Sequence, residues 1–583
     1  MRRSLPWLCV ALALAGGTKT HAADDGQWLM AAKDHANLRY SELDEIKPEN
    51  VGQLKEAWTF STGIKRGHEG APLVVGDTIY IVTPFPNLLI ALNAADGREK
   101  WRYDPKPDRM AQGVACCDVV NRGAVFDHGR IFYNTLDAYT VAVDAHTGKE
   151  IWKTKVGDFK KGESITMAPI VVNGKVIVGN SGGEFGVRGW ALALDAGSGK
   201  ELWRAFSTGP DADCLIGPEF KPYYPQDQGK DLGVSSWPPD AWQIGGGTVW
   251  GWISYDPKLN LIFYGTGNPG PWNADQRPGA NKWSCGIFAR NPDTGQARWY
   301  YQWSPHDVFD YDGVNESLVL DLEWEGKTRA VLVHPERTGF VYVLDRATGQ
   351  VLSADAFAHV NTTTHVDLKT GLPHHVDAKM PVVGKVVRDI APASPGAKDW
   401  QPSAYSPRTR YLYIPHQNLR MDIMKSEANY IAGTPFLGAN ERMYPGPGGH
   451  RGEYTAWDPV ARKVVWKLKE KFPVWSGTVV TAGDVAFYGT MDGWFKAVHA
   501  RTGELLWQYK CESGIIGQPI TYRGPDGHQY VAVFAGVGGW AGAIVAGQLD
   551  PRDGTGALGF VGAMKDLPKE TSAGGRLYVF RLP

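Results

Sequence analysis

The stretch Val143-Asp144-Ala145-His146-Thr147-Gly148, which Trp152 follows four residues later, carries the pattern on which the fold depends. Asp and Thr side chains cap tight turns, and glycine adopts the positive φ that such turns need. The tryptophan is a large plate that can pack against a neighbouring sheet. The phrase therefore predicts two strands joined by a tight turn, with one aromatic ring that packs against a neighbouring sheet.

The same phrase recurs along nearly the whole chain, which is the mark of a repeat architecture. The other copies are residues 91–101, 194–203, 291–299, 345–349 (without the tryptophan), 458–466 (a worn copy) and 499–507. With Trp58, whose strand has no hairpin before it, they predict an all-β fold, an eight-bladed β-propeller with tryptophan-docking repeats and insertions. Closing such a ring requires the two chain ends to share a blade, so we expect strand 575–582 to pair with the strand of Trp58.

The spacing between copies is uneven. The intervals from Trp203 to Trp299 and from Gly349 to Trp466 are about twice the others, which predicts insertions at both places. Long insertions on a rigid scaffold usually carry function.

Composition agrees with many short strands joined by turns, because the 583 residues include 70 Gly, 38 Pro and 23 Trp. A net charge of −1 and a pI near 6.9 give no general field for nucleic acid or an acidic membrane. We therefore exclude nucleic-acid binding and expect a small ligand that is recognised locally.

The amino terminus has the layout of a secretory signal. Arg2 and Arg3 precede the apolar run 5–15, and small residues follow near Ala23. We predict a cleaved signal peptide over 1–22, a single propeller domain over 23–583, and export to the periplasm. No later run is long and apolar enough to predict a membrane span. Five cysteines follow the signal, and an odd number in an oxidising compartment leaves at least one thiol unpaired.

Residues 305–316 concentrate acidic side chains, with four carboxylates and one carboxamide between Asp307 and Glu316. If Asp310-Tyr311-Asp312 is locally extended, the two aspartates point the same way while Tyr311 faces the opposite side. Two carboxylates that close raise each other's pKa unless a cation lies between them, and hard cations prefer oxygen ligands. The alternative is an acidic surface loop that turns at Asp312-Gly313.

Other segments also interrupt the repeat. Cys116 and Cys117 are neighbours, and a bond between them would close a strained eight-membered ring; unpaired thiols or bridges to other cysteines are the alternative. Glu184 lies in a glycine-rich turn, and Asn268 lies in similar company, where local capping is the ordinary role of such residues. Trp250 and Trp252 follow the glycines 245–247, which allow a ligand to approach closely.

Taken together, these segments resemble the pyrroloquinoline-quinone (PQQ)-dependent alcohol dehydrogenases, the methanol and ethanol dehydrogenase family of bacterial periplasms, from about residue 25 to the last strand. The resemblance implies a quinone on the ring axis between a Cys116-Cys117 disulfide and Trp250. It implies metal coordination by Glu184, Asn268 and Asp310. Cofactor contacts would come from Glu69, Arg122, Thr166, Ser181, Gly182, Gly183, Thr248 and Arg337, and more loosely from Asn418 and Trp475.

Asp312 distinguishes the subfamilies, because a second Asp two positions after the catalytic one resembles the lanthanide-dependent members. A trivalent ion attracts an added carboxylate more strongly than a divalent ion of similar radius. We therefore expect Asp312 as a fourth ligand to a lanthanide(III) ion, with calcium as the fallback.

Alcohol oxidation needs a two-electron acceptor, which no side chain provides and a quinone does. We expect Asp310 to be the general base and Arg337 to stabilise the oxyanion, with short primary alcohols as substrates and Trp540 in the pocket wall. The sequence has no Cys-x-x-Cys-His, so it predicts a separate soluble cytochrome c as electron acceptor. The resemblance favours a homodimer. The rival hypothesis is a cofactor-free propeller that binds other proteins.

Overall fold

A computed structural model describes residues 26–583, and the predicted signal peptide over 1–22 lies outside the described residues. The described part consists mostly of short strands. In chain order these are β1 (Tyr40–Ser41), β2 (Lys55–Ser61), β3 (Leu73–Val75), β4 (Thr78–Val82), β5 (Leu89–Asn93), β6 (Glu99–Tyr103), β7 (Ala124–Asp127), β8 (Arg130–Thr135), β9 (Tyr139–Asp144), β10 (Glu150–Lys155), β11 (Ile170–Val172), β12 (Lys175–Gly179), β13 (Trp190–Asp195), β14 (Glu201–Phe206), β15 (Ile253–Asp256), β16 (Leu261–Thr266), β17 (Gly286–Arg290), β18 (Ala297–Gln302), β19 (Leu318–Trp324), β20 (Lys327–Pro335), β21 (Phe340–Asp345), β22 (Val351–Ala356), β23 (Thr363–Asp367), β24 (Leu372–His375), β25 (Val387–Ile390), β26 (Ala404–Ser406), β27 (Tyr411–Gln417), β28 (Leu419–Lys425), β29 (Ala439–Pro445), β30 (Gly452–Asp458), β31 (Lys463–Glu470), β32 (Thr478–Thr481), β33 (Val485–Gly489), β34 (Trp494–His499), β35 (Leu505–Lys510), β36 (Ile520–Arg523), β37 (Gln529–Ala535) and β38 (Arg576–Arg581). The α-helices are short: α1 (Leu232–Ser235), α2 (Gly539–Ala546) and α3 (Phe560–Met564).

Within residues 26–583 these strands form eight sheets of at least four strands, as expected for a β-propeller. Seven have four strands, namely β3–β6, β7–β10, β11–β14, β15–β18, β19–β22, β26-β27-β30-β31 and β2-β38-β37-β36. The eighth comprises β32–β35, to which β1 adds a short parallel strand. Two smaller sheets, β23-β24 and β25-β28-β29, lie inside the second predicted insertion.

Six of the tryptophans pack on the glycine turn of the next sheet. A Cβ added at Gly148, whose φ is +71°, would lie 2.6 Å from the ring of Trp101. Glycine is therefore required at this turn for two reasons, its left-handed backbone and the ring above it. The same pairing joins Trp58 to Gly97, Trp152 to Gly199, Trp203 to Gly295, Trp299 to Gly349 and Trp466 to Gly503. The docking predicted from the repeats is confirmed.

Within residues 26–583 two junctions lack this contact. Trp507 lies beside the rings of Phe495 and Phe580 instead, and the junction after β22 is altered in both partners. β22 has Ser353 where other repeats carry tryptophan, and the following turn has Arg462, with φ +58°, where they carry glycine. The Arg462 guanidinium instead pairs with Asp355 on β22 at 2.7 Å. The worn copy and the copy without tryptophan are thus two sides of one altered interface.

The chain ends share one sheet. β2 pairs antiparallel with β38 from Lys55–Arg581 to Ser61–Arg576, and β38 then pairs with β37. This confirms the predicted pairing of the terminal strand beside Trp58 and covers an edge that an open ring would expose.

Both long insertions occur where the spacing predicts them. The first lies between β14 and β15 and contains α1, and the second occupies most of the chain between β22 and β30. The helices of residues 26–583 are all too short, or not apolar enough, to cross a membrane.

Candidate active site

One cavity gathers most of the predicted site residues. The predicted residues that line it are Glu69, Cys116, Cys117, Arg122, Thr166, Ser181, Gly182, Glu184, Trp250, Asp310, Asp312, Arg337 and Trp475, together with Trp540. Residues more than 400 positions apart in sequence therefore meet at one place.

A row of polar side chains forms one part of the lining. Arg122 pairs with Glu69 at 3.0 Å and donates to Thr166 Oγ1 at 2.8 Å, and the Thr166 and Ser181 hydroxyls are 3.1 Å apart. The Arg122 guanidinium also lies 4.9 Å from the ring centre of Trp250. This row presents both hydrogen-bond donors and an aromatic face, which suits a flat, anionic ligand.

Glu184 is held by a turn that only glycine can build. Gly182 has φ +115°, and a Cβ there would lie 2.2 Å from the carbonyl oxygen of Gly162. The turn continues as a 3₁₀ helix, Gly183–Phe185. From the second insertion, the backbone N–H of Phe436 donates to the Glu184 carbonyl at 2.6 Å. Burial raises the pKa of the Glu184 carboxyl.

Asp310 and Asp312 reach the cavity through a turn organised by Asp307, whose Oδ2 accepts the backbone N–H groups of Phe309, Asp310 and Tyr311 at 3.2, 2.8 and 3.2 Å. Asp310 has φ +66°, so the predicted extended conformation is wrong at this residue. The two carboxylates nevertheless converge, and Tyr311 points away to the Pro392 carbonyl. Asp310 and Asp312 are 4% and 2% exposed, which also excludes the alternative of a surface loop.

Arg337 sits between these carboxylates. Its Nη1 lies 3.4 Å from Asp310 Oδ2, and its Nη2 lies 3.1 Å from both Asp312 Oδ2 and Asp399 Oδ1. Burial acts to lower the pKa of Arg337, but Asp399, Asp312 and Asp310 outweigh it and raise that pKa. The guanidinium is therefore permanently charged at this position.

Negative groups outnumber positive ones around the cavity, because six carboxyl groups line it against the two guanidinium groups of Arg122 and Arg337. Burial raises the pKa of Glu69 to about 8 and that of Asp312 to about 7. Burial and then Asp312 raise the pKa of Asp310 well above its usual range. A cation would relieve this excess and return the carboxyl groups to their ionised forms.

In the part of the chain that the structure describes, no three Asp, Glu, His or Cys side chains are arranged to hold a metal ion between them. The predicted meeting of Glu184, Asp310 and Asp312 at one point is therefore not preformed, since like charges repel and Arg337 lies between the two aspartates. The donor set nonetheless fits a hard cation. Within residues 26–583, Asp310 Oδ1 and the Asn268 carboxamide are buried without a hydrogen-bond partner.

Gly183, Thr248 and Asn268 lie just behind the lining. A Cβ added at Gly183 would be 3.2 Å from Asn268 Oδ1 and 3.4 Å from Thr248 Oγ1. The backbone N–H of Asn268 donates to Asp312 Oδ1. Asp312 thus joins Asn268 to the carboxyl groups of the cavity. Because Gly183 has no side chain, the carboxamide oxygen of Asn268 is left free to bind a ligand.

The predicted disulfide is not present, because Cys116 and Cys117 are both free thiols in the structure. They interact with each other all the same, because the hydrogen bond to Cys117 raises the pKa of the Cys116 thiol.

Asn418 does not line the cavity. Its carboxamide donates instead to the carbonyl oxygens of Pro447 and His450, both at 3.0 Å. Conversely, Asp399, Trp400 and Trp272 line the cavity without a predicted role. Asp399 and Trp400 lie in the second insertion and belong to none of the repeats, so their position in an insertion is the one signal that could have indicated them.

The comparisons with known proteins agree with this geometry. Residues 28–356 and 437–531 match the family model for the PQQ glucose/ethanol/alcohol dehydrogenase β-propeller domain. The chain belongs to this family of PQQ-dependent alcohol dehydrogenases and is an oxidoreductase. The unmatched segment between the two ranges coincides with much of the second insertion.

Among individual relatives, the lanthanide-dependent methanol dehydrogenase of Methylacidiphilum fumariolicum (strain SolV) is 51% identical over 99% of this chain and 97% of its own length. Subunit 1 of the methanol dehydrogenase [cytochrome c] of Methylobacterium organophilum is 44% identical over 96% of this chain and 91% of its own. A solved europium-containing methanol dehydrogenase superposes with a TM-score of 0.94 and 52% identity, covering 96% of this chain and 98% of that one.

Proposed function

We propose that this protein oxidises short primary alcohols, such as methanol and ethanol, to aldehydes, with PQQ and one lanthanide(III) ion bound in the cavity. The excess of buried carboxyl groups over guanidinium groups in this cavity carries the proposal. When bound, the quinone supplies a two-electron acceptor and the ion a Lewis acid. The names of the lanthanide-dependent and europium-containing relatives support the choice of metal, with calcium as the fallback.

The residues divide into two sets by chemistry. Glu184, Asn268, Asp310 and Asp312 would hold the cation, because hard cations prefer carboxylate and carboxamide oxygen atoms as ligands. Glu69, Arg122, Thr166, Ser181, Gly182, Gly183, Thr248, Trp250, Cys116, Cys117 and Trp475 would hold the cofactor. In the second set Arg122 and Trp250 combine a fixed positive charge with an aromatic face.

Asp310 is the proposed general base. Its burial and its nearness to Asp312 favour the protonated form, whereas Arg337 favours the carboxylate. A cation at this position would add to the effect of Arg337, so that Asp310 accepts the hydroxyl proton of the alcohol. Arg337, which cannot give up its own proton, would stabilise negative charge that develops on an oxygen atom beside it.

The exclusion of water follows from the lining. Trp250, Trp272, Trp400, Trp475 and Trp540 all contribute to the cavity. Their rings leave room for a small apolar group and strengthen the electrostatic interactions of the carboxylates within. An apolar pocket separates methanol from ethanol by only about 1–3 kcal/mol, so both belong to the proposed substrate class.

The remaining parts of the proposal concern the setting of the enzyme. We propose that the eight sheets are the blades of one ring over residues 23–583, that residues 1–22 direct export to the periplasm, and that the protein forms a homodimer. A soluble cytochrome c would accept the electrons, in keeping with the name of the Methylobacterium organophilum relative.

Purified protein reconstituted with PQQ tests the proposal, with lanthanum or calcium supplied separately and oxidation of methanol and ethanol followed through an artificial dye. We expect quinone absorbance, one bound ion per chain and faster turnover with lanthanum. Asp312→Ala should weaken the preference for lanthanum, whereas Asp321→Ala, at an exposed carboxylate on β19, should not. Protein that takes up neither cofactor nor metal would exclude the function, and equal metal selectivity in Asp312→Ala would exclude that ligand.

A further inference from the structure

A buried carboxyl group beside the cavity has no part in the chemistry proposed above. Glu441 lies on β29 in the second insertion and is 4% exposed, but it does not line the cavity. Its Oε2 accepts a hydrogen bond from the hydroxyl group of Ser394, which is itself fully buried. A buried carboxyl group is costly unless it is hydrogen-bonded, so its bond to Ser394 indicates which part of the structure Glu441 supports.

Ser394 connects Glu441 to the guanidinium of Arg337. The Ser394 carbonyl oxygen accepts a hydrogen bond from Arg337 Nη1 at 3.2 Å. The same nitrogen donates to the Asp310 carbonyl at 2.7 Å and lies 3.4 Å from Asp310 Oδ2. The position of the Ser394 peptide therefore decides where Nη1 lies relative to Asp310.

The loop that carries Ser394 wraps around Arg337 but has no regular secondary structure of its own. Ala397 donates its backbone N–H to the Arg337 carbonyl at 2.9 Å, and a Cβ added at Gly396 would lie 2.4 Å from Arg337 Cα. Such a loop depends on side-chain bonds for its shape. The Ser394 hydroxyl supplies some of these bonds, to Glu441 on β29 and to Met421 Sδ on β28 at 3.2 Å. Gln417 supplies others, because its Nε2 donates to the carbonyl oxygens of Pro395 and Gly396.

We infer that Glu441 is a positioning residue, which through Ser394 fixes the Arg337 guanidinium between Asp310 and Asp312. The β28–β29 pair thereby has a task in the active site although neither strand belongs to a four-stranded sheet. This inference rests on the proposed function, because Arg337 is placed there as the group that stabilises the oxyanion.

The charge state of Glu441 is compatible with this task. Burial raises the pKa of Glu441 to about 8; the Ser394 hydrogen bond acts in the opposite direction, and Asp307 raises the pKa further. The Ser394 hydroxyl can donate to a carboxylate or accept from a carboxyl group, so the link survives in both forms. A neutral glutamine at position 441 should therefore keep the hydrogen bond to Ser394, whereas alanine should lose it.

The test compares Glu441→Gln, Glu441→Ala, Ser394→Ala and the double alanine variant, each as holoenzyme with PQQ and metal. We expect Glu441→Gln to retain kcat within about threefold, and each alanine variant to lose about tenfold in kcat with little change in KM, as the loss of one hydrogen bond predicts. The double variant should lose no more than either single one, because both remove the same link. Crystal structures of the alanine variants should show the Arg337 guanidinium displaced from Asp310.

A matched control separates positioning from general loss of a buried carboxyl group. Glu453 is 7% exposed and bonded by His450 and Lys467, but it does not line the cavity. Glu453→Ala should lower the melting temperature without the fall in kcat. Unchanged kcat in Glu441→Ala, additive losses in the double variant, or an unmoved Arg337 would each overturn the inference. If Glu441→Ala does not fold, Ser394→Ala against wild type decides the question. A wild-type protein inactive with PQQ and metal would instead refute the proposed function.

Discussion

Replacing Gly148 by alanine measures how much the docking of one tryptophan ring contributes to the propeller. A new Cβ at Gly148 would lie 2.6 Å from Trp101, and φ there is +71°. Gly174 supplies the matched control, because its φ is +70° and no atom lies within 4 Å of an added Cβ. The two substitutions share the cost of a left-handed alanine and differ in the ring alone.

The expected sizes follow from these two terms. The left-handed conformation costs an L-residue about 1–2 kcal/mol, which both variants should lose. Forcing a methyl group into a filled contact costs about 1–3 kcal/mol more, and Gly148→Ala alone should show it. Urea unfolding, with the change in free energy taken from the midpoint at constant slope, measures both.

A double variant makes the measurement specific to the ring. Once Trp101→Ala has removed the ring, adding Gly148→Ala should cost no more than Gly174→Ala does in the wild-type chain. Equal losses for the two single glycine variants, or an undiminished loss in the Trp101→Ala background, would refute the account of the repeat given above.

Three further outcomes are expected. Burial raises the pKa of Glu69 from 4.5 to about 8, so between these pH values the folded protein keeps a proton that the unfolded chain releases. The stability of the cofactor-free protein should therefore fall as the pH rises from 4.5 to about 8. Urea unfolding at pH 5 and pH 8 measures this fall, which should be smaller in Glu69→Gln. Lanthanum binding should release protons, and its affinity should increase as pH rises towards and past the Asp312 pKa of about 7, which titration in weak buffer measures; a pH-independent affinity would contradict this. Deleting residues 576–583 exposes the edges of β2 and β37 and should cause aggregation in light scattering, while deleting 582–583 should not.

Much of the fold could be predicted from the sequence because each repeat is specified by interactions within a few residues. Asp144, Thr147 and Gly148 specify a turn within six residues, and the outer hairpins of the other repeats carry a similar pattern. The exchange of tryptophan for a salt bridge between Asp355 and Arg462 was not accessible, since it depends on which turn faces which strand. The positions of Asp355 and Arg462 in the sequence do not indicate that the two side chains meet.

The site was accessible to a lesser degree. Glu184 and Asp310 interrupt the repeat and could be singled out, whereas Asp399 and Trp400 reach the cavity from an irregular insertion that has no internal pattern. The left-handed backbone of Asp310 arises from the bonds that three N–H groups make to Asp307. Asn418 was misplaced for a related reason, because the carbonyl oxygens that hold its carboxamide belong to a loop some thirty residues further along.

The pairing of β2 with β38 sets the order in which the chain can mature. Translation delivers β2 about 500 residues before its partner β38, so the seam stays open until β38 has been synthesised. Ring formation is then limited by a contact of very large sequence separation, which slows folding. A circular permutant that joins the natural ends and opens the chain elsewhere would convert this seam into a local hairpin and should refold faster than the natural connectivity.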